Sequence, residues 1–306
     1  MPAATSPATP ARPFGAVLTA MVTPMTPGGE VDLVAAVRLA THLVDHGHDG
    51  LVLNGTTGEA PTTHALEKSD LIAAVVAAVG DRAVVVAGAG SNDTAHAVRM
   101  AQQAAAAGAH ALLVVSPYYS RPSQEGVYRH CLAVADATDL PVMLYDVPGR
   151  TVVRYAPETL DRLAAHEKIV AVKDATGDVY AALRTMTRTG LAFYSGDDAL
   201  NLAFLAHGAA GVVSMVGHVA GDDLAAMVRA LDARDLTLAR TAFVAILPLI
   251  ELICGSGNGA VRSKTALELL GVIPSRAMRL PNVAADAAEV EVVRTGLIAA
   301  GLLAAR

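Results

Sequence analysis

The stretch ALLVV at residues 111–115 is apolar at every position. The run AVVVA at residues 83–87 has the same character, and LVLN at residues 51–54 is apolar up to its final asparagine. A strand with one solvated face alternates apolar and polar residues, whereas a strand in a parallel sheet is covered on both faces and reads as a continuous apolar run. These stretches therefore predict a parallel sheet with helices on both sides.

Short apolar runs of strand character recur along the chain. They lie at residues 16–22, 50–54, 83–87, 111–115, 141–145, 169–173, 191–195 and 211–215. Segments with apolar residues at helical spacing separate them. The first segment begins after Asp32, a predicted N-cap, and ends before Gly47. The other segments lie at about 65–79, 94–107, 124–138, 157–166, 179–188 and 199–207.

This alternation of strand and helix in about 200 residues predicts an α/β fold, the (β/α)8 or TIM barrel. An open doubly wound sheet is the rival, but GAGSND at residues 88–93 is an incomplete dinucleotide fingerprint. We expect the barrel to span residues 15–221 after a disordered tail at residues 1–14. A C-terminal helical extension, residues 222–306, is expected to pack on the barrel. It shows only helical patterns apart from a Gly-rich break, CGSGNG, at residues 254–259.

The composition is that of a core-rich protein, with 53% hydrophobic and 17% charged residues. A net charge of -6 without a basic block argues against a nucleic-acid surface. The N-terminal residues lack the apolar segment of a signal peptide, and the uncharged apolar runs are too short for a membrane span. Cys131 and Cys254 lie far apart without metal-ligand spacing, which favours a reduced, cytoplasmic setting. Small-molecule chemistry is therefore expected.

One apolar run ends on a lysine. IVAVKDATGD at residues 169–178 places Lys173 at the C-terminal end of the sixth strand, and TIM barrels build their active sites at those ends. Burial there disfavours the ammonium, lowers the lysine pKa and leaves a free amine that can form a Schiff base with a carbonyl substrate. The alternative interpretation is a structural lysine paired with Asp174 or a solvated lysine at the strand end.

Other strand ends supply polar groups that favour the catalytic interpretation. Tyr145 ends the fifth strand, next to Lys173, where a phenol can relay protons. Thr56 and Thr57 follow the second strand among glycines, where hydroxyls and main-chain amides can hold a carboxylate. A tyrosine, a lysine and a Gly-Thr-Thr-Gly loop at one barrel mouth predict a Schiff-base enzyme.

A metal-dependent aldolase would need several His, Asp or Glu ligands at the mouth, and the strand ends supply few. Asp197 and Asp198 could bind a cation, but both are also placed to cap a helix after the seventh strand. His46 and His48 precede the second strand, so we expect them in a solvated loop on the opposite face of the barrel. We therefore predict no metal and no cofactor.

Several motifs together resemble the dihydrodipicolinate synthase family, within the pyruvate-dependent Schiff-base lyases. They are NGTTGE at 54–59, SPYYSRPSQEG at 116–126, YDVPGRT at 145–151, VKDATGD at 172–178 and YSGDD at 194–198, in a similarity that runs over about residues 15–300. The resemblance implies condensation of pyruvate with L-aspartate 4-semialdehyde to 4-hydroxy-tetrahydrodipicolinate, a precursor of diaminopimelate and lysine.

The resemblance also implies roles for the residues in these motifs. Lys173 would form the imine with pyruvate, and Tyr145 would relay protons. Thr56 would link Tyr145 to Tyr119, which in the family reaches across from a neighbouring subunit. A homo-oligomer is implied, arranged in the family as a dimer of dimers, that is, a tetramer.

The other implied residues bind the substrates. Thr57 and the main chain near Val213 would hold the pyruvate carboxylate, and Gly196 would lie beside the second substrate. Arg150 would bind the semialdehyde carboxylate, which a guanidinium can grip through two hydrogen bonds. An N-acetylneuraminate lyase or a keto-deoxy sugar acid aldolase, the alternative, would need neutral polar groups there. A barrel that binds a ligand without catalysis is disfavoured because the lysine and the tyrosine are both present.

Two segments depart from the family pattern. Lysine-inhibited members place histidines and a glutamate in an allosteric site between subunits, where this chain has Ala65, Lys68 and His96. A cationic Lys68 would repel the ammonium groups of lysine, so weak or absent feedback is expected. CGSGNGAVRSK at residues 254–264 differs from the Asn-Pro pattern of many members, and its position near the mouth leaves the acceptor open.

Overall fold

A closed barrel of parallel strands, joined in chain order, forms the centre of the computed structural model, which describes residues 11–255 and 257–304. The strands are β1 (Val17–Ala20), β2 (Gly50–Leu53), β3 (Val84–Gly88), β4 (Ala111–Val115), β5 (Val142–Asp146), β6 (Ile169–Asp174), β7 (Ala192–Ser195) and β8 (Gly211–Ser214). Because β1 pairs with both β2 and β8, the sheet has no free edge. The predicted (β/α)8 barrel is therefore confirmed, and the open sheet is wrong.

Helices follow the strands and cover the outside of the barrel. They are α1 (Leu33–Asp45), α2 (Ala65–Val79), α3 (Thr94–Ala106), α4 (Gln124–Asp136), α5 (Pro148–Thr151), α6 (Pro157–Ala164), α7 (Val179–Thr189), α8 (Asn201–Ala206) and α9 (Gly217–Asp232). Asp32 caps α1 as predicted, since its side chain accepts from the Ala35 amide. Helix α5 has no counterpart among the predicted segments. At four residues it is too short for an amphipathic pattern to reveal.

Side chains alternate between the barrel interior and the helix layer. On β5, Met143 and Tyr145 point inward, whereas Leu144 packs against the helices. On β6, Ala171 belongs to the interior cluster and Val172 to the outer one. This period of two directs every second residue at the strand ends toward the mouth.

The N-terminal tail was expected to be disordered through residue 14, and this is wrong for its last residues. Phe14 is buried, and its ring centre lies 6.1 Å from that of Tyr194 in the barrel interior. The Arg12 guanidinium donates to both carboxylate oxygens of Asp232, at 2.8 and 2.7 Å, and to the Ala210 carbonyl. An aromatic ring and a bidentate ion pair therefore fasten residues 12–14 to the barrel, and residues 1–10 lie outside the described part of the chain.

Beyond β8 the chain continues as α9, α10 (Leu236–Ile250), a π-helical turn (Glu251–Gly255), α11 (Gly259–Leu269) and α12 (Ala287–Ala299). Helix α9 begins before residue 221, so the proposed division into barrel and extension falls inside a helix. Residues 270–286 are not helical, which corrects the expectation of helical patterns alone. Gly271, Pro274 and Pro281 account for this break, because glycine and proline disfavour helix interiors.

Helix α10 and the π-helical turn form an apolar segment, Leu236–Gly255, whose length and hydropathy would suffice to cross a membrane. One face of this segment packs on the neighbouring C-terminal helices through Ala239, Ile246 and Leu249. Leu238 and Val244 are exposed. Such a segment also occurs as a core helix, so its composition alone carries no argument for a membrane.

The prediction that His46 and His48 lie in a solvated loop before β2 is wrong for His48. His48 is buried, donates from Nδ1 to the Leu43 carbonyl and accepts at Nε2 from the Thr19 hydroxyl. Burial lowers its pKa to about 4, so the ring is neutral at pH 7. His46 is half exposed and pairs with Asp222. His48 therefore serves as a packing and hydrogen-bonding residue between β1 and α1.

Candidate active site

Lys173 lies inside the barrel at the end of β6, with only 6% of its surface exposed. Burial lowers its pKa to about 8, the nearby Arg150 charge acts in the same direction, and Asp198 opposes both. The alternative of an ion pair with Asp174 is not found among the described residues. Asp174 accepts from the Thr176 amide and lines a separate cavity between the strands and the helices. About a tenth of Lys173 is therefore a free amine at pH 7, far more than for an ordinary lysine.

Tyr145 is the register partner of Lys173 on the neighbouring strand β5. The Lys173 Nζ lies 4.4 Å from the centre of the Tyr145 ring. Burial raises the pKa of Tyr145, which the Arg150 charge and a hydrogen bond from Thr56 oppose. At neutral pH the phenol therefore keeps its proton and can donate it.

Gly196 follows β7 and leaves room for the lysine side chain. A Cβ atom at this position would lie 3.0 Å from both Cγ and Cε of Lys173 and 3.0 Å from the Asp174 carbonyl oxygen. Real Cβ atoms rarely approach other atoms so closely, so a larger residue would displace the lysine. Val213 lies in the barrel interior on β8 and is buried.

Thr56 and Thr57 lie in a tight turn after β2. The Glu59 amide donates to the Thr56 carbonyl at 3.1 Å, and the Ala60 amide donates to the Gly55 carbonyl at 3.2 Å. Glu59 has a φ of 57°, a left-handed conformation uncommon for residues other than glycine. Within this turn Thr57 is buried and Thr56 is exposed.

A cavity of about 520 Å³ opens at this end of the barrel. Thr56, Tyr145 and Arg150 are on its wall, and Lys173 lies against the Tyr145 ring. The short helix α5 carries Arg150 to the wall. An amine, a phenol and a guanidinium therefore lie close together at this end of the barrel. Thr57, Lys173, Gly196 and Val213 are not among the residues that line the cavity itself.

Another lysine, Lys68, lines this cavity directly. Burial lowers the pKa of Lys68 to about 8. Its Nζ donates to the carbonyls of Ala60 and Thr63 and to the Thr63 hydroxyl, the last at 2.8 Å. Three oxygen acceptors hold the ammonium in place, whereas Lys173 faces an aromatic ring. Lys173 is thus the better nucleophile of the two.

The single chain does not bring Tyr119 to the site. Tyr119 is 86% exposed, with a φ of 73°. Its neighbour Tyr118 lines the cavity instead. The role of Tyr119 stays a prediction that depends on a second subunit.

Sequence reasoning treated Asp198 as a helix cap, and this is wrong. Asp197 does cap the turn that follows, accepting from the Ala199 amide. Asp198 is buried and accepts from the Ser214 hydroxyl at 2.5 Å and from the amides of Met215 and Val216 at 2.8 and 2.9 Å. It therefore joins the end of β7 to the loop after β8, and no local pattern could have indicated contacts 16–18 residues away.

Comparisons with known proteins identify the family of this chain. The model of the dihydrodipicolinate synthetase family matches residues 13–299. The 4-hydroxy-tetrahydrodipicolinate synthase of Kineococcus radiotolerans is 55% identical over 302 residues, covering 99% of this chain and 98% of that protein.

Two solved structures illustrate the similarity of fold. The dihydrodipicolinate synthase of Cyanidioschyzon merolae with lysine bound is 39% identical with a TM-score of 0.91, covering 96% of this chain and all of that one. A monomeric dihydrodipicolinate synthase variant is 34% identical with a TM-score of 0.90, covering 95% of this chain and 98% of that one. The chain belongs to the dihydrodipicolinate synthetase family.

Proposed function

We propose that this chain condenses pyruvate with L-aspartate 4-semialdehyde to give 4-hydroxy-tetrahydrodipicolinate, the first committed step toward diaminopimelate and lysine. The observation that carries the proposal is the buried Lys173, with its pKa lowered to about 8, facing Tyr145 on the neighbouring strand. The relatives that share this chain's length bear the name of that synthase. A lysine Schiff base with pyruvate is the chemistry that such an amine performs.

The reaction begins when the Lys173 amine attacks the C2 carbonyl of pyruvate. The new C–N bond replaces the C–O bond, whose oxygen leaves as water after proton transfer from Tyr145. The Tyr145 phenolate then accepts a methyl proton from the protonated imine, which gives the enamine with the nitrogen as electron sink. The enamine carbon then attacks the semialdehyde aldehyde, and the substrate amine closes on C2 and displaces Lys173. The lysine itself supplies the electron sink, so the proposal needs no cofactor.

Tyr145 and Thr56 act together in proton transfer. The hydrogen bond between them lowers the cost of a transient phenolate, against the burial that raises the Tyr145 pKa. Thr56, on the cavity wall, is also open to a further partner. In the proposed oligomer this partner is Tyr119 of a second subunit, presented by an exposed backbone turn.

Carboxylate recognition divides between two parts of the site. The buried Thr57, with main-chain groups near Val213, holds the pyruvate carboxylate. Arg150 lines the cavity and binds the carboxylate of the semialdehyde. Gly196, packed against Lys173, lies by this second substrate. Each of the two substrate carboxylates thus has its own hydrogen-bond donors.

We also propose a homo-oligomer, a dimer of dimers, in the cytoplasm. The exposed Tyr119 and Leu66, 86% and 78% exposed, support a subunit contact near the site mouth. The net charge of -6 and the two free cysteines suit the cytoplasm.

The test is a comparison of acceptors. The purified protein should consume pyruvate with L-aspartate 4-semialdehyde and form the heterocyclic product. With N-acetylmannosamine or a sugar-derived aldehyde in its place, pyruvate consumption should be at least about 100-fold slower, because Arg150 would have no carboxylate to bind. Faster consumption with the sugar aldehyde would overturn the proposal in favour of a sugar-acid aldolase.

A further inference from the structure

A buried ion pair joins the C-terminal extension to the turn that carries Thr56 and Thr57. The Nζ of Lys264, on α11, lies 2.5 Å from Oε1 of Glu59, and both side chains are fully buried. Lys264 also donates to the Ala277 carbonyl at 2.7 Å. The other Glu59 oxygen accepts from the Arg279 amide at 3.1 Å. The carboxylate of one turn residue therefore holds a helix and the nonhelical segment 270–286 at once.

Arg279 also connects the C-terminal extension to residues on either side of the turn. Its guanidinium donates to the Thr62 carbonyl at 2.8 Å and forms a bidentate pair with Glu67 on α2. A fourth hydrogen bond, 2.7 Å long, goes to the Gly29 carbonyl. The segment around Arg279 therefore spans the loop after β1 and the start of α2, on both sides of the turn.

A fully buried ion pair is a poor source of stability, because taking two charges out of water offsets most of their attraction. Apolar side chains of similar size would fill the same space without that cost. Pairing a charge with a fixed partner does, however, define one geometry, since a displaced partner would leave a buried charge unpaired. Glu59 lies two residues after Thr57, so the geometry that this pair defines is that of the turn carrying Thr56 and Thr57.

The geometry points to Lys264 and Glu59 as a positioning pair, which we propose fixes the pyruvate-binding turn through the C-terminal extension. The inference rests on the proposed roles of Thr56 and Thr57. Because the Glu59 amide donates to the Thr56 carbonyl, movement of Glu59 carries Thr56 with it. Thr56 in turn donates to Tyr145, so the pair also acts on the proton relay.

The inference gives the segment CGSGNGAVRSK, residues 254–264, a function in this enzyme. Its glycines precede α11, and Asn258 caps that helix by accepting from the Ala260 amide. The segment thus sets the start of the helix whose sixth residue is Lys264. Under this inference Arg150 determines which acceptor aldehyde binds, whereas the segment 254–264 affects the binding of pyruvate.

The first test compares Lys264→Met with the wild type in steady-state kinetics. Methionine fills the same volume without charge, and the turn loses its fixed partner. We expect kcat/KM for pyruvate to fall about 100-fold, chiefly through KM, while the KM of the semialdehyde changes less than about twofold. Arg276→Met is the matched control. It removes an ion pair with Glu268 in the same segment without touching the turn, and its kinetics should match the wild type.

A double-mutant cycle separates positioning from general stability. Glu59→Gln alone should raise the pyruvate KM, and Glu59→Gln with Lys264→Met should raise it no further, because one connection is lost in both. If Lys264→Met does not fold, Glu59→Gln carries the test, since it keeps the side-chain shape. A folded variant with the pyruvate KM within about twofold of wild type overturns the inference.

Hydrogen exchange on the wild-type protein tests the same coupling without a substitution. Added pyruvate should slow exchange in peptides that cover residues 55–62 and also in those that cover 264–279. Slowing confined to residues 55–62 would contradict a connection through the extension. If borohydride traps no pyruvate on wild-type Lys173, the proposed function fails. If pyruvate is trapped there and either the kinetic or the exchange test is negative, only this inference fails.

Discussion

Lys173 and Tyr145 are direct register partners on neighbouring strands, and the lysine Nζ lies 4.4 Å from the centre of the tyrosine ring. The amine thus meets an aromatic face in place of a carboxylate. Burial without a paired anion lowers the lysine pKa to about 8 and leaves the tyrosine protonated. Burial therefore has two effects at the same place: it makes Lys173 a better nucleophile and keeps Tyr145 protonated as a proton donor.

The pH dependence of imine formation should report the Lys173 pKa. The neutral amine attacks, so the trapping rate should rise about tenfold per pH unit below pH 8 and level off above it. The measurement is the initial rate of borohydride trapping with saturating pyruvate between pH 6 and pH 10. A rate that still climbs steeply between pH 9 and pH 10 would mean an ordinary, solvated lysine.

Gly196→Ala should impair the lysine without unfolding the barrel. The new Cβ would lie 3.0 Å from two Lys173 carbons and from the Asp174 carbonyl, so the amine must move. We expect kcat/KM to fall about 100-fold, with an unchanged circular dichroism spectrum. Gly255→Ala is the control, because its Cβ would lie 4.0 Å from its nearest neighbour. Equal activity in the two variants would refute the packing argument.

Arg150→Met should separate the two substrates. The KM of the semialdehyde should rise about 10- to 100-fold, because a charged hydrogen-bonding partner of its carboxylate is lost. Pyruvate should still be trapped, somewhat more slowly near neutral pH, since removing the Arg150 charge raises the Lys173 pKa. Arg154→Met is the control, an arginine paired with Asp178 on the wall of the other cavity. A larger effect on pyruvate than on the semialdehyde would contradict this assignment.

Lysine should be a weak inhibitor or none. Lys68 occupies the cleft beside the turn with its ammonium held by Ala60 and Thr63, and His96 stands on the same cavity wall. A second ammonium would meet like charge there. Steady-state activity should be unchanged by lysine below millimolar concentration. The Cyanidioschyzon merolae enzyme, whose structure has lysine bound, is the comparison for the assay. Half-inhibition by sub-millimolar lysine would show this expectation to be wrong.

The strands and their order were predictable because strands covered on both faces read as runs of mainly apolar residues. Helix α2 lies at the predicted residues 65–79, since its pattern is long and its ends are marked. Lys173 and Tyr145 were predictable for a related reason, as polar residues that end apolar strands are conspicuous.

Contacts between distant parts of the chain could not be predicted. Glu59 and Lys264 are 205 residues apart, and each alone resembles a solvated charge. Asp198 sits where a helix cap would sit, and its clamp on the loop after β8 depends on barrel closure. His48 looked solvated because the local sequence is polar, yet the packing of α1 on β1 buries it. In each case, whether the side chain is buried and what it contacts depends on a residue distant in the sequence, which the local pattern does not contain.

The most direct test of the account is the identity of the residue that pyruvate modifies. The protein would be reduced with borohydride in the presence of pyruvate, digested and mapped by peptide mass, with Lys173→Met as control. The account predicts one adduct, on Lys173, absent from the variant and diminished when the semialdehyde is present to turn the imine over. An adduct on Lys68, whose pKa is also lowered to about 8, or no adduct on any lysine, would contradict it.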